Sequence, residues 1–289
     1  MKKDDLTRIG FCLPFLIPLF LFWIIPLVMS FSIGFTDWDY LSPEINFVGF
    51  SNYTDMFTNI EFIKALWNTL AFSFGTIIPT LVFGFLLALL FEKEFLGNKL
   101  FRTIIFSPWI TPTVAVSMVW SWIYEPERGF ANYFLKWLHM QPLPWLQSSS
   151  TAMVAVIIFT IWKSIGWTFL FYIGALSQVS PSLYEAAEID GATYLEKVYY
   201  ITLVYISPTT FFLFITNMIQ SIQVYDQIQI MTQGGPGGST TTLLYLFYKK
   251  SFQNFQMGPA NAVAMIIVVI IALLSFISNR VSKKWVHYD

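Results

Sequence analysis

The chain has 289 residues, of which 56% are hydrophobic and 19% aromatic, while only 11% are charged. Soluble domains carry charge on roughly a quarter of their residues, so water is excluded as the main solvent of this fold. A formal net charge of −1 gives no footing for nucleic acid. One cysteine, Cys12, excludes an intrachain disulfide, and with two distant histidines, His139 and His287, it forms no metal-ligand pattern.

Crossing a hydrocarbon core of roughly 30 Å takes about 20 apolar residues of helix. The first such run covers residues 9–34 and follows Lys2, Lys3 and Arg8. It is longer than a signal-peptide core and ends at no small-residue cleavage site, so it is expected to be a retained span. A loop with Asp37 and Trp38 leads to a second span over 68–91, and a short basic loop with Lys93 and Lys99 to a third over 102–124. A loop carrying Trp137 and Trp145 precedes the fourth span, 151–177, which holds the one charge deep inside any run, Lys163, between Trp162 and Trp167. A polar segment over 180–197 leads to the fifth span, 198–223. The last loop contains Gly234, Gly235 and Pro236, and the sixth span runs over 260–278. These continuous runs predict an all-α integral membrane protein with six transmembrane helices, organised as a single transmembrane domain over 1–289. The alternating ten-residue segments of a membrane barrel are absent.

Lysine and arginine accumulate in cytoplasmic loops. Lys2, Lys3, Arg8, Lys93, Lys99, Arg102, Lys197, Arg280, Lys283 and Lys284 fall on one side, against Lys64, Arg128, Lys136, Lys249 and Lys250 on the other. Both termini are therefore expected in the cytoplasm. The alternate loops then face outward, where their tryptophans either dock a partner or sit at headgroup level.

Polar residues inside spans are the candidates for a solute path, because a buried polar group without a partner costs roughly 2–7 kcal/mol. In the fifth span Asn217, Gln220 and Ser221 share a helical face, and Tyr225 and Asp226 lie just beyond it. This face either lines a path or bonds to neighbouring helices. Lys163 is a functional candidate as an intramembrane charge, with Trp162 and Trp167 available to stack on a sugar ring. Snorkelling to an interface or bonding to a partner's carbonyl are its other readings. Pro79, Pro108, Pro112 and Pro208 predict kinks.

The segment from Ser180 to Thr193 reads first as helix chemistry. Ser180 is a cap, Pro181 suits the first helical position, Ser182 and Glu185 have capping-box spacing, and Gly191 suits the closing turn. A short helix over 181–189 follows, thin at Ala186 and Ala187 and acidic at Glu185, Glu188 and Asp190. Glu185-Ala186-Ala187, Asp190-Gly191-Ala192, Ile201 and Leu203 together resemble the coupling-loop signature of permeases in binding-protein-dependent ABC importers. In that family a proline follows the leucine matching Leu203; here Val204 stands there, and the next proline is Pro208. The stretch from Phe47 to Tyr53, Asn68-Thr69, Gly234-Gly235-Pro236 and Thr240 to Thr242 resemble the carbohydrate branch that includes the maltose and glycerol-3-phosphate permeases.

The resemblance implies a permease subunit in a prokaryotic cytoplasmic membrane, forming half the path for a carbohydrate. It implies a coupling role for Tyr184, Glu185, Ala186, Ala187, Asp190, Gly191 and Ala192, and a docking role for Gly234, Gly235 and Pro236. The implied partners are a second homologous permease in a heterodimer, two ATP-binding subunits that use ATP and Mg, and an extracytoplasmic solute-binding protein. No cofactor is expected on this chain. An ion-coupled carrier or channel is the competing reading, but no Asp or Glu falls within the six runs to serve as a proton relay. An enzyme is disfavoured because no nucleophile elbow, zinc spacing or phosphate-cradling loop is present.

Overall fold

A computed structural model describes residues 3–92 and 95–282, with side chains from residue 11 onward. Lys2, Lys93, Lys283, Lys284 and His287 lie outside the described residues. The described residues within 1–63 and 246–269 form one compact unit, and those within 64–245 and 270–289 form another.

In the first unit, α1 (Lys3–Leu19) passes through a π turn at Phe20–Ile24 into α2 (Ile25–Ile33). The stretch Phe11–Ile33 is long and apolar enough to span a membrane, and its side chains are largely exposed, as lipid-facing residues are. The motif from Phe47 to Tyr53 then folds back on the end of α2. Val48 N–H donates to Phe35 O at 2.8 Å, and the Phe35 ring meets those of Phe47, Phe50 and Tyr53. From α3 (Ser51–Thr58), Asn52 Nδ2 donates to Gly34 O at 2.9 Å and Thr36 O at 2.7 Å. Gly258, near the start of α15 (Met257–Ser282), packs on this clasp so closely that an added Cβ would lie 1.9 Å from Thr36 O. Its N–H donates to Trp38 O at 2.9 Å.

The second unit is built on α4 (Ile60–Leu90), α5 (Asn98–Ile110), α6 (Thr113–Ile123), α7 (Phe130–Trp137) and α8 (Ala152–Leu176). After these come α9 (Pro181–Ile189), α10 (Tyr194–Lys197), a π turn at Val198–Thr202, α11 (Leu203–Tyr205), α12 (Ser207–Ile222), α13 (Asp226–Met231) and α14 (Leu243–Tyr248). Ala88, Phe169, Tyr172, Leu176, Ile206 and Leu213 pack as one buried core. Small residues bring helix backbones together, as interhelical contacts in membranes require. A Cβ on Gly166 of α8 would lie 2.3 Å from Ile105 O of α5.

Among the described residues, four helices are long and apolar enough to cross a membrane, and the number reaches six if each bent pair is one span. The bent pairs are α5 with α6, at 99°, and the helix over Tyr194–Tyr205 with α12, at 66°. The second bend falls at Ile206, directly before Ser207 and Pro208, so the chain bends despite Val204 standing in the family's proline position. The first follows from Pro108 and Pro112. Each proline lacks the N–H that the carbonyl four residues earlier needs, which orphans Ile104 O and Pro108 O. Ser107 Oγ donates to Ile104 O at 2.9 Å, and Lys163 Nζ reaches from α8 to Pro108 O at 3.0 Å.

Candidate functional site

A cavity of about 450 Å³ lies within the second unit, between parts of α4, α8, α12, α13 and the α5–α6 break. That volume falls in the ligand-pocket range of roughly 300–1,000 Å³. Twelve of its eighteen lining residues carry a hydroxyl or an amide on their side chains. From α12 come Asn217, Gln220 and Ser221, the three residues whose spacing places them on one face, followed by Tyr225 and Asp226. Asn217 is buried and donates to Leu213 O at 2.7 Å, while Ser221 Oγ donates to Ser73 Oγ of α4 at 2.9 Å. Ser221 therefore both lines the cavity and joins two helices, and Gln220 stays exposed. Gln227 Nε2 donates to Thr160 Oγ1 at 3.3 Å, tying α13 to α8.

Lys163 lines the same cavity. Its ammonium donates to Pro108 O at 3.0 Å, Trp109 O at 3.3 Å and Thr111 O at 2.6 Å. A cation at a helix C-terminus also meets the negative end of the helix dipole. Trp162 and Trp167, available in sequence to stack on a sugar ring, are not among the residues lining this cavity. Trp162 packs against Trp120 and Phe159, and Trp167 stacks on Trp109 at a centroid distance of 5.2 Å. The indole that does reach the cavity is Trp109, on α5. Thr76 and Thr80 also line it and went unnoticed in the sequence, although two threonines four apart inside an apolar run are a usable signal.

The segment over 180–197 forms a separate, surface site. Helix α9 starts with Pro181 after Ser180 and ends at Asp190, and Gly191 takes the left-handed conformation at φ 78°. The capping box is not at Ser182 and Glu185. Ser182 already lies inside the helix, and the third helical residue after the Ser180 cap is Leu183, which has no carboxylate. The box forms one helix later. Glu196 N–H donates to Thr193 Oγ1, and Thr193 N–H to Glu196 Oε2 at 2.7 Å. These bonds hold the Glu196 carboxyl below its ordinary range, the Thr193 hydroxyl contributing most.

Tyr184 Oη and Thr202 Oγ1 share a 2.9 Å hydrogen bond, and Lys197 Nζ pairs with Glu188 Oε1 at 2.6 Å. Burial raises the Tyr184 hydroxyl above its ordinary range. The inner side of α9 is thus bound to the segment entering α11, while Glu185, Ala186, Asp190 and Gly191 are exposed and Ala187 and Ala192 partly so. Ile189 and Leu195 extend this surface with 87% and 76% exposure.

The loop with Gly234, Gly235 and Pro236 is held by the residues of the Asn68-Thr69 motif. Asn68 Nδ2 donates to Gly238 O and Thr241 O, both at 2.9 Å, and Thr69 Oγ1 accepts from Leu243 N–H at 2.9 Å. Lys64 Nζ donates to Gly237 O at 2.6 Å. Thr240 and Thr241 close the loop on Gly235 O and Gly234 O. Between α6 and α8, Trp145 is buried on Tyr124 and donates to Asn132 Oδ1 at 2.7 Å, while Trp137 is exposed.

An all-helical, multi-pass chain with a polar cavity beside a broken helix defines a membrane transport component. Residues 80–287 match the family described as binding-protein-dependent transport system inner membrane component, and the chain belongs to that family. It is a permease subunit, a transport component of the inner membrane rather than an enzyme. It is similar to the arabinooligosaccharides transport system permease protein AraP of Bacillus subtilis, at 30% identity, covering 95% of this chain and 88% of that protein. It is also similar to the sn-glycerol-3-phosphate transport system permease protein UgpA of Shigella flexneri, at 29% identity with 84% and 82% covered. Among solved structures, a bacterial alginate ABC transporter in complex with an alginate pentasaccharide-bound periplasmic protein matches with a TM-score of 0.82. That match has 25% identity and covers 98% of this chain and 96% of that one.

Proposed function

We propose that the whole chain acts as one permease domain, forming half of the path by which an ABC importer takes up a carbohydrate. The observation that carries the reading is the cavity over Asn217, Gln220, Ser221, Tyr225 and Asp226, whose hydroxyl and amide wall matches the hydrogen-bonding demand of a hydroxyl-rich solute. The names of AraP and of the alginate transporter support a saccharide. Lys163 contributes to the path by holding its wall.

A second, homologous permease forms the other half, as a heterodimer. Two separate ATP-binding subunits use ATP and Mg, and the segment 180–197 couples them to the membrane through Tyr184, Glu185, Ala186, Ala187, Asp190, Gly191 and Ala192. The exposed outer face of α9 and its anchored inner face support this role. An extracytoplasmic solute-binding protein delivers the solute and docks at the loop with Gly234, Gly235 and Pro236, which arrives prefolded on Asn68 and Lys64. Both termini face the cytoplasm, as the lysine and arginine distribution supports.

Replacing Asn217 and Gln220 together with leucine tests the path. Uptake is expected to stop while the complex still assembles, and unchanged uptake would refute the reading.

A further inference from the structure

The charges on the cavity wall carry an inference about the solute, which rests on reading that cavity as part of the path. An anionic solute, such as a sugar phosphate or a uronate, is recognised by cations with donors to spare, arginine above all. Among the described residues, Lys163 is the only cation on the wall. A lysine ammonium has three N–H donors, and the carbonyls of Pro108, Trp109 and Thr111 provide three acceptors for it. None is left over for a phosphate or carboxylate. The wall also carries one carboxylate, Asp226, whose charge acts on Lys163 and opposes an entering anion. The remaining polar lining, typified by Thr160, Ser164, Gln220 and Gln223, is uncharged and both donates and accepts. Trp109 supplies an aromatic surface beside it.

We propose that this cavity is built for an uncharged, hydroxyl-rich solute, a neutral oligosaccharide, and rejects sugar phosphates and acidic saccharides. The charge balance is fixed by the carbonyls of the α5–α6 break, which occupy the lysine's three donors. The filter thus lies in this chain, independently of what the binding protein selects.

The test is made in the assembled importer in nanodiscs, without binding protein. Cys12 is the one native cysteine of this chain. In a Cys12→Ser background, Gln223→Cys places a thiol at an exposed position on the wall, and its rate of reaction with neutral N-ethylmaleimide reports occupancy. Maltotriose, cellotriose and raffinose serve as neutral probes, trigalacturonate and glycerol 3-phosphate as anionic ones. At least one neutral trisaccharide is expected to slow the reaction about fivefold, the protection given by free solute at about four times its dissociation constant. Neither anion is expected to protect.

Equal or better protection by an anion, or no protection by any neutral probe, would overturn the proposal. Adding Gln220→Arg, which supplies a free guanidinium, is expected to create protection by trigalacturonate; an unchanged profile would count against charge as the filter. The two readings fail separately. If the leucine double variant stops uptake while trigalacturonate protects, the path stands and the neutral-solute inference falls. If that variant transports normally, the path itself is refuted.

Discussion

Substituting Lys163 by methionine keeps the length of the side chain and removes the ammonium from the break between α5 and α6. Two of its three hydrogen bonds are well formed, at 2.6 and 3.0 Å, and the third is long at 3.3 Å. Counting the two short ones at roughly 1.5–3 kcal/mol each for a charged donor gives about 3–6 kcal/mol. Against this, methionine avoids the cost of placing a charge inside the membrane, roughly 2.5–3.5 kcal/mol. The balance leaves the 99° break weaker by about 1.5 kcal/mol, or about tenfold in the population of the native bend. Spin labels at the exposed positions Leu100 on α5 and Val119 on α6 report that bend as a distance distribution. The methionine variant is expected to broaden it and lower Tm, and Lys163→Arg, which keeps charge and donors, to restore the narrow peak. A distribution as narrow as wild type in Lys163→Met, with the same Tm, would refute the capping argument.

Gly166→Ala is expected to disrupt assembly, because the new methyl meets the fixed backbone of Ile105, whereas Gly174→Ala, with open space around its Cβ, should leave Tm unchanged. Size-exclusion profiles of the two variants separate the outcomes. Asn132→Ala removes the acceptor of Trp145 Nε1 and of Leu143 N–H, at about 1–3 kcal/mol for each buried group left unpaired. Limited proteolysis within residues 125–150 should speed up accordingly. Glu196 has a lowered carboxyl pKa, so its contribution to the 180–197 segment is present above its ordinary value of 4.5 and is lost as pH falls through the lowered one. The protection of the Glu196 amide against hydrogen exchange, corrected for the intrinsic pH dependence of exchange, should therefore fall on acidification below pH 4.5 in wild type, and Thr193→Val should remove most of that dependence.

The helices were legible because long apolar runs in a chain this poor in charge have few alternatives. The capping chemistry was legible in kind and misplaced by one helix: Ser182 and Glu185 have the right spacing, but only Thr193 stands at a cap with a glutamate three residues on. The polar face of α12 was visible in its period. Its neighbours Thr76, Thr80 and Trp109 were not singled out, since they come from distant elements and no local pattern joins them to Asn217. The role of Lys163 was hidden for the same reason. Its acceptors are carbonyls more than fifty residues away, freed by prolines whose kinks were expected but whose orphaned groups have no sequence mark. Trp162 and Trp167 pack on Trp120, Phe159 and Trp109 rather than on the cavity, because proximity along the chain to Lys163 says nothing of which face of α8 meets which neighbour.

The coupling role of α9 is tested most directly by a disulfide crosslink. With Cys12 replaced by serine, Ala186→Cys places a thiol on the exposed face of α9, to be paired with cysteines scanned over the ATP-binding subunit in the assembled importer. A crosslink to that subunit is predicted, with a yield that changes when Mg-ATP is added. Sustained uptake by a complex in which no position of that subunit is ever captured from Ala186→Cys would contradict the account.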